Sequence, residues 1–128
     1  MSILLDSWAW IEVFKGTEKG NKILEIITNA IKNGDKIYTT TGNLYEVYYR
    51  ISEDEGKDAC KKALSFMESA SEVIAISRDI AIDAAKIRLS EGLRAIDAFV
   101  LAAARRNHAK VLTGDPHFKN LKDTIFIE

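Results

Sequence analysis

A chain of 128 residues, 47% hydrophobic with a single proline, suits one compact domain over residues 1–128 and leaves little room for a second. Eighteen Lys and Arg against 19 Asp and Glu give a formal charge of −1, which excludes a global basic field, so any nucleic-acid contact must be local. The lone Cys60 excludes an internal disulfide, Asp6 interrupts any secretory h-region, and the longest apolar stretch, Ala95 to Ala104, is about half of what a bilayer crossing needs, so the expected location is cytoplasmic with no membrane span.

In chain order, Ile3-Leu4-Leu5 reads as a short buried strand ending at Asp6. Two helices follow, around Trp8 to Phe14 and Lys19 to Ala30, the second marked by Ile23, Ile26, Ile27 and Ala30 at helical spacing and stopped at Asn33-Gly34. Lys36 to Thr39 reads as a second strand. Thr40 or Thr41 can cap a third helix with Leu44, Val47, Tyr48 and Ile51 as its apolar stripe, and a fourth runs from Glu55 to Ser69. Val73 to Ile76 is β-branched enough for a third strand, and Asp79 to Leu89 returns to helical spacing through Ile82, Ala85 and Leu89 before Gly92 breaks it. Arg94 to Asn107 is apolar nearly all round, which predicts a helix packed deep against a sheet. Ala109 to Leu112 is a fourth strand, Asp115 to Leu121 a short helix and Ile125-Phe126-Ile127 a last strand. Strands separated by helices predict a parallel sheet covered on both faces, and in such sheets ligands sit beyond the carboxyl ends of the strands.

Four acids interrupt apolar contexts or close strands, unlike the solvated run Glu53-Asp54-Glu55. Asp6 follows the first strand, where it can serve a ligand or cap the next helix. Glu46 has Arg50 one turn later, so a surface ion pair is its simpler reading in isolation. Asp97 enters the most apolar helix, where a carboxylate has little surface to occupy and burial without a partner is costly. Asp115 precedes Pro116, a strong helix-start signal that does not exclude a catalytic role. Together the four can face one end of the sheet. Carboxylates gathered in one cleft repel each other unless some protonate or a cation neutralises them, and an all-oxygen set suits Mg²⁺ or Mn²⁺. His108 and His117 lack ligand-type spacing and read as surface or capping residues.

At these residues the sequence resembles PIN domains, most of all the VapC-type ribonuclease toxins of prokaryotic toxin–antitoxin pairs. The matching segments are Leu4-Leu5-Asp6-Ser7, Asn43-Leu44-Tyr45-Glu46, Ile96-Asp97-Ala98 with its alanine-rich continuation, and Leu112-Thr113-Gly114-Asp115-Pro116-His117-Phe118. The resemblance implies a three-layer α/β/α fold on a five-stranded parallel sheet. It also implies Asp6, Glu46, Asp97 and Asp115 as an acidic quartet, Thr113 as a polar helper and Ser7 as the hydroxyl residue after the first acid. Asp6 and Asp97 would bind Mg²⁺ or Mn²⁺ directly, with Glu46 and Asp115 binding metal or orienting its waters, for hydrolysis of RNA phosphodiesters. A protein antitoxin and a homodimer are the implied partners. The chain departs from members with a further acid or amide just after the last aspartate; His117 and Asn120 are the nearest polar residues there.

Positive charge for an RNA backbone could come from Arg105-Arg106 with Lys110, or from Lys57 with Lys61-Lys62, although each also reads as a solubilising helix face. Trp8 to Phe14 and Tyr45, Tyr48 and Tyr49 offer enough apolar surface for a partner interface or simply for the core. A phosphoacceptor receiver domain would need paired acids after the first strand and an aspartate closing the third, and a haloacid-dehalogenase-type phosphatase a second aspartate near Asp6; the chain has none of these. An RNA-processing PIN nuclease outside any toxin pair and a silent PIN-like binding module remain the alternatives.

Overall fold

The computed structural model describes residues 1–128. Five strands form one parallel sheet: β1 (Ser2–Leu5), β2 (Ile37–Thr40), β3 (Glu72–Ile74), β4 (Ala109–Thr113) and β5 (Thr124–Phe126), in the spatial order β3-β2-β1-β4-β5. The order reverses at β1, where the chain moves outward through β2 and β3 and later returns to lay β4 on the other side. Leu4 pairs with Tyr38 on one flank and Val111 on the other.

Alternation along the strands divides the core in two. Ile3, Leu5, Ile37 and Leu112 face a layer made by α1 (Ser7–Lys15), α2 (Glu18–Lys32), α3 (Thr41–Glu55) and α4 (Lys57–Ala70). Leu4, Tyr38 and Val111 face α5 (Arg78–Glu91) and α6 (Ala95–Arg106) on the opposite side. Leu4, Leu5, Val111 and Leu112 are fully buried, each contributing about 1.5–3 kcal/mol of apolar transfer. The three-layer arrangement expected from the strand–helix alternation is therefore present, and no helix is long and apolar enough to cross a membrane.

Local chemistry explains most boundaries. Thr40 caps α3 through the Asn43 N–H while the Asn43 side chain accepts from the Thr40 N–H, a reciprocal capping box. Gly92 closes α5 at φ 73, a left-handed conformation that costs glycine little. Gly20 lets α1 and α2 touch: a Cβ there would collide with the backbone of Glu12. Along α6, Ala98, Val100, Leu101, Ala102, Ala103 and Ala104 are buried, as the all-round apolar pattern predicts.

Four expectations need correction. The inner stripe of α5 is Ile80, Ala84 and Ile87, whereas Ile82 and Leu89 are exposed; this helix carries two apolar stripes, and contact with α6 selects the other one. Tyr48 points outward from α3, leaving Val47 and Ile51 to face the core. Beyond Asp115 the chain makes only a single 3₁₀ turn, Pro116–Phe118, because Asn120 and Asp123 adopt left-handed φ values of 68 and 64 and turn the chain into β5. The third strand stops at Ile74, where β2 has no further residue to pair with Ala75 and Ile76.

Candidate active site

The carboxyl ends of β1 and β4 lie side by side at the point where strand order reverses, the usual place for a ligand cleft in an open parallel sheet. Asp6 follows β1 and is buried. Its Oδ1 accepts from the Ala9 N–H at 2.9 Å, capping α1, and its Oδ2 accepts from the Thr113 hydroxyl at the end of β4. Ligand-type position and helix cap, alternatives in the sequence, are thus combined in one side chain. Burial pushes the Asp6 carboxyl up to about 7, against the lowering effect of these two hydrogen bonds and with help from the charges of Asp115 and Asp97.

Thr113 is fully buried and accepts in turn from the Asp115 N–H at 3.0 Å. Asp115 caps the 3₁₀ turn through the His117 N–H at 2.9 Å, and its Oδ1 lies 2.7 Å from His117 Nδ1. Asp97 enters from the first turn of α6, 7% exposed, with its pKa raised by burial and by Asp115 and lowered by Arg94. One ligand atom each from Asp97, Asp115 and His117 falls within 4.8 Å of the others.

Glu46 forms another wall. A cavity of about 260 Å³ is lined by Glu46, Arg94, Ala95, Ile96 and Asp97. Glu46 Oε1 accepts from the Ser7 hydroxyl at 2.7 Å, and Ser7 Oγ accepts from the buried Asn43 amide at 3.0 Å. Asn43 Oδ1 is held at 2.8 Å by the Thr40 hydroxyl, so a polar chain from the end of β2 fixes the position of Glu46. The Arg50 ion pair open to Glu46 in the sequence is not among the observed contacts; Ser7 holds the carboxylate instead.

The donor set fits a hard divalent cation. Asp6, Asp97 and Asp115 place negative charge where two of them are buried, and their carboxylate oxygens suit Mg²⁺ or Mn²⁺. Each Asp6 oxygen accepts only one hydrogen bond, which leaves lone pairs for a metal.

The family model of the PIN domain matches residues 3–123. The chain belongs to the PIN domain family. Solved structures give the same fold at low identity. A toxin–antitoxin complex from Klebsiella pneumoniae matches at TM-score 0.77 and 22% identity, over 97% of this chain and 96% of that one. VapBC2 from Rickettsia felis, bound to a promoter DNA fragment, matches at 0.80 and 18%, over 99% and 98%. VapC20 from Mycobacterium tuberculosis, a toxin that cleaves the sarcin–ricin loop, matches at 0.69 and 15%, over 86% and 87%. Comparison with curated proteins by sequence finds no match.

In this PIN domain the basic clusters singled out in the sequence lie away from the acids. Arg105 and Arg106 end α6, eight and nine residues and about 12 and 14 Å beyond Asp97, and are paired with Asp123 at 3.0 Å and Asp83 at 2.5 Å. Lys57 opens α4 beyond the end of α3 remote from Glu46. One site neighbour, Arg94, escaped the sequence pattern, and His117, which reads there as a surface or capping residue, instead sits on Asp115 within the acidic group. For His117 the signal was its place two residues after a capping aspartate, which brings the ring back onto that carboxylate. For Arg94 it was the i,i+3 spacing to Asp97 across a helix start.

Proposed function

We propose that this PIN domain is a divalent-metal-dependent endoribonuclease and the toxin of a toxin–antitoxin pair. The observation that supports the activity is the gathering of Asp97 and Asp115, with His117, within 4.8 Å of one another, beside Asp6 at the end of β1; Asp6 and Asp97 are buried and their pKa values raised. In this reading Asp6, Asp97 and Asp115 hold Mg²⁺ or Mn²⁺, with Glu46 ligating or holding a water from the opposite wall. When bound, the ion supplies Lewis acidity to a phosphodiester and makes water nucleophilic near neutral pH. Thr113 keeps Asp6 oriented by donating to it, and Ser7 holds Glu46 in the orientation needed to position the attacking water. No Ser-His-Asp or Cys-His arrangement competes: the lone Cys60 is fully buried and hydrogen-bonded to the Tyr48 carbonyl.

The toxin assignment draws on the Klebsiella, Rickettsia and Mycobacterium proteins, all toxin–antitoxin components, and on an apolar groove of about 510 Å³ between the α1–α2 and α3–α4 pairs. Phe14, Leu24, Ala59 and Phe66 line it, and an antitoxin tail with apolar residues at helical spacing would fit there. Trp10, from the same aromatic segment, is fully buried and so belongs to the core. Exposed Ile82 and Leu89 on α5 are available for a homodimer contact.

The test is cleavage of a fluorogenic single-stranded RNA by wild-type protein and the Asp97→Asn variant in Mg²⁺, Mn²⁺ or EDTA. Cleavage abolished by EDTA and by the substitution is the expected result. An inactive wild type that still binds divalent ions by calorimetry would replace the nuclease with a binding module.

A further inference from the structure

Arg94 is the cation set among these acids. It precedes α6 without making a side-chain cap, and its guanidinium reaches back over the cluster. Nη2 stands 3.2 Å from Asp97 Oδ2, 3.5 Å from Asp115 Oδ2 and 3.4 Å from His117 Nδ1, while Nε lies 3.3 Å from the same Asp97 oxygen. His117 Nδ1 is closer to Asp115, so it serves Asp115 as a donor and the Arg94 contact is a crowding of two donors. Asp97, Asp115 and His117 are the three residues whose ligand atoms come within one coordination sphere of each other. The guanidinium therefore touches every member of that group.

We propose that Arg94 is a resident counter-cation of the acidic cluster, which a divalent ion must displace, so that Arg94 sets the metal concentration at which the site loads. The inference rests on the metal-site reading above and adds a competitor to it. Asp97 Oδ2 receives both Nε and Nη2, and a metal ion on that oxygen would face a second positive charge at contact distance. Arg94 is free to leave: its side chain is 65% exposed, and the cavity it lines with Glu46 and Ile96 gives the guanidinium room to swing away. Displacement is thus an exchange of one cation for another on the same oxygens. A guanidinium that rested on the carboxylates about nine-tenths of the time would lower the apparent metal affinity about tenfold.

The test is calorimetric titration of Mn²⁺ alone into wild-type protein, R94Q and R94K at one pH and ionic strength, with thermal melts to verify folding. R94Q is expected to bind Mn²⁺ about tenfold more tightly and R94K about threefold, since lysine keeps the charge but loses the fork that spans two carboxylates. Metal-free R94Q is also expected to melt at a lower temperature than wild type and to gain more from Mn²⁺. Equal or weaker Mn²⁺ binding by R94Q overturns the proposal, as does R94K remaining at the wild-type value while R94Q tightens, which would reduce Arg94 to a distant charge. If R94Q does not fold, R94K decides alone. Wild type and R94Q both failing to bind Mn²⁺ would remove the metal site itself, a result distinct from equal binding by both.

Discussion

The two ends of α6 carry the same pair of residue types to opposite effect. At its carboxyl end, Arg105 meets Asp123 and Arg106 meets Asp83 across the surface, and the Arg106 guanidinium holds the Asp83 carboxyl below its ordinary range. At its amino end, Arg94 meets Asp97, yet the Asp97 carboxyl stays above its ordinary range because burial outweighs the arginine. An ion pair that water can reach settles both partners and contributes little. One whose acid is withdrawn from water while its arginine stays outside leaves the acid wanting a stronger cation. Burial of the carboxylate, not the presence of a pair, distinguishes the end proposed to bind metal from the structural one.

Substitutions at the two ends should break the symmetry most widely. Asp97→Asn is expected to lower RNA cleavage about a thousandfold, the several kcal/mol a bound ion contributes to phosphoryl chemistry, without lowering the melting temperature in EDTA. A variant that loses activity only because it unfolds would show a depressed melt. Next comes pH. Asp6 titrates at about 7 in the folded chain, against 3.8 for an ordinary aspartate, so between these values the folded protein binds more protons than the unfolded one. Its stability in EDTA should therefore fall as pH rises from about 4 to about 7, by up to about 4 kcal/mol, and saturating Mn²⁺ should restore it. Asp83 carries the reverse sign: its depressed pKa stabilises above the ordinary carboxylate value and that contribution fades as pH falls. Melts of wild type and Asp6→Asn across this range measure the difference, and parallel curves for the two would refute the assignment.

Smaller effects sharpen the contrast. Thr113→Val removes the hydroxyl that holds Asp6 and is expected to cost about 10–100-fold in Mn²⁺ affinity or in cleavage, read by calorimetry and the fluorogenic assay. At the other end, Asp83→Asn should leave cleavage unchanged and move the melt only slightly, a shift that disappears in high salt. A large loss of activity from Asp83→Asn would erase the distinction between the ends.

Much of this architecture was legible in the residue pattern, for identifiable reasons. Short apolar runs alternating with helical spacing announced the strands, and Asp6 and Asp115 could be located because strand ends are fixed points in a parallel sheet, whereas Thr113 came from the resemblance to PIN domains. Periodicity could not phase α5, since Ile80-Ala84-Ile87 and Ile82-Ala85-Leu89 are both apolar and only contact with α6 chooses between them. Arg94 and the Ser7–Asn43 support of Glu46 were hidden for a different reason. Arg94 meets Asp115 and His117 only through the fold, and Ser7 reaches Asn43 and Glu46 across 36 and 39 residues, directions that spacing in the chain does not encode.

The pairing of β1 with β4 also has a kinetic consequence. Ser2 registers with Ala109, and Asp6 meets Thr113 across 107 positions of sequence. During synthesis the amino-terminal strand can meet β2 early but must wait for β4 on its other flank, because contacts this distant form late. A nascent chain that has not yet emerged through Asp115 lacks one of its four acids and the Thr113 hydroxyl that holds Asp6. A centre that draws on both Asp6 and Asp115, as proposed, can thus form only after β4 has been made and has found β1.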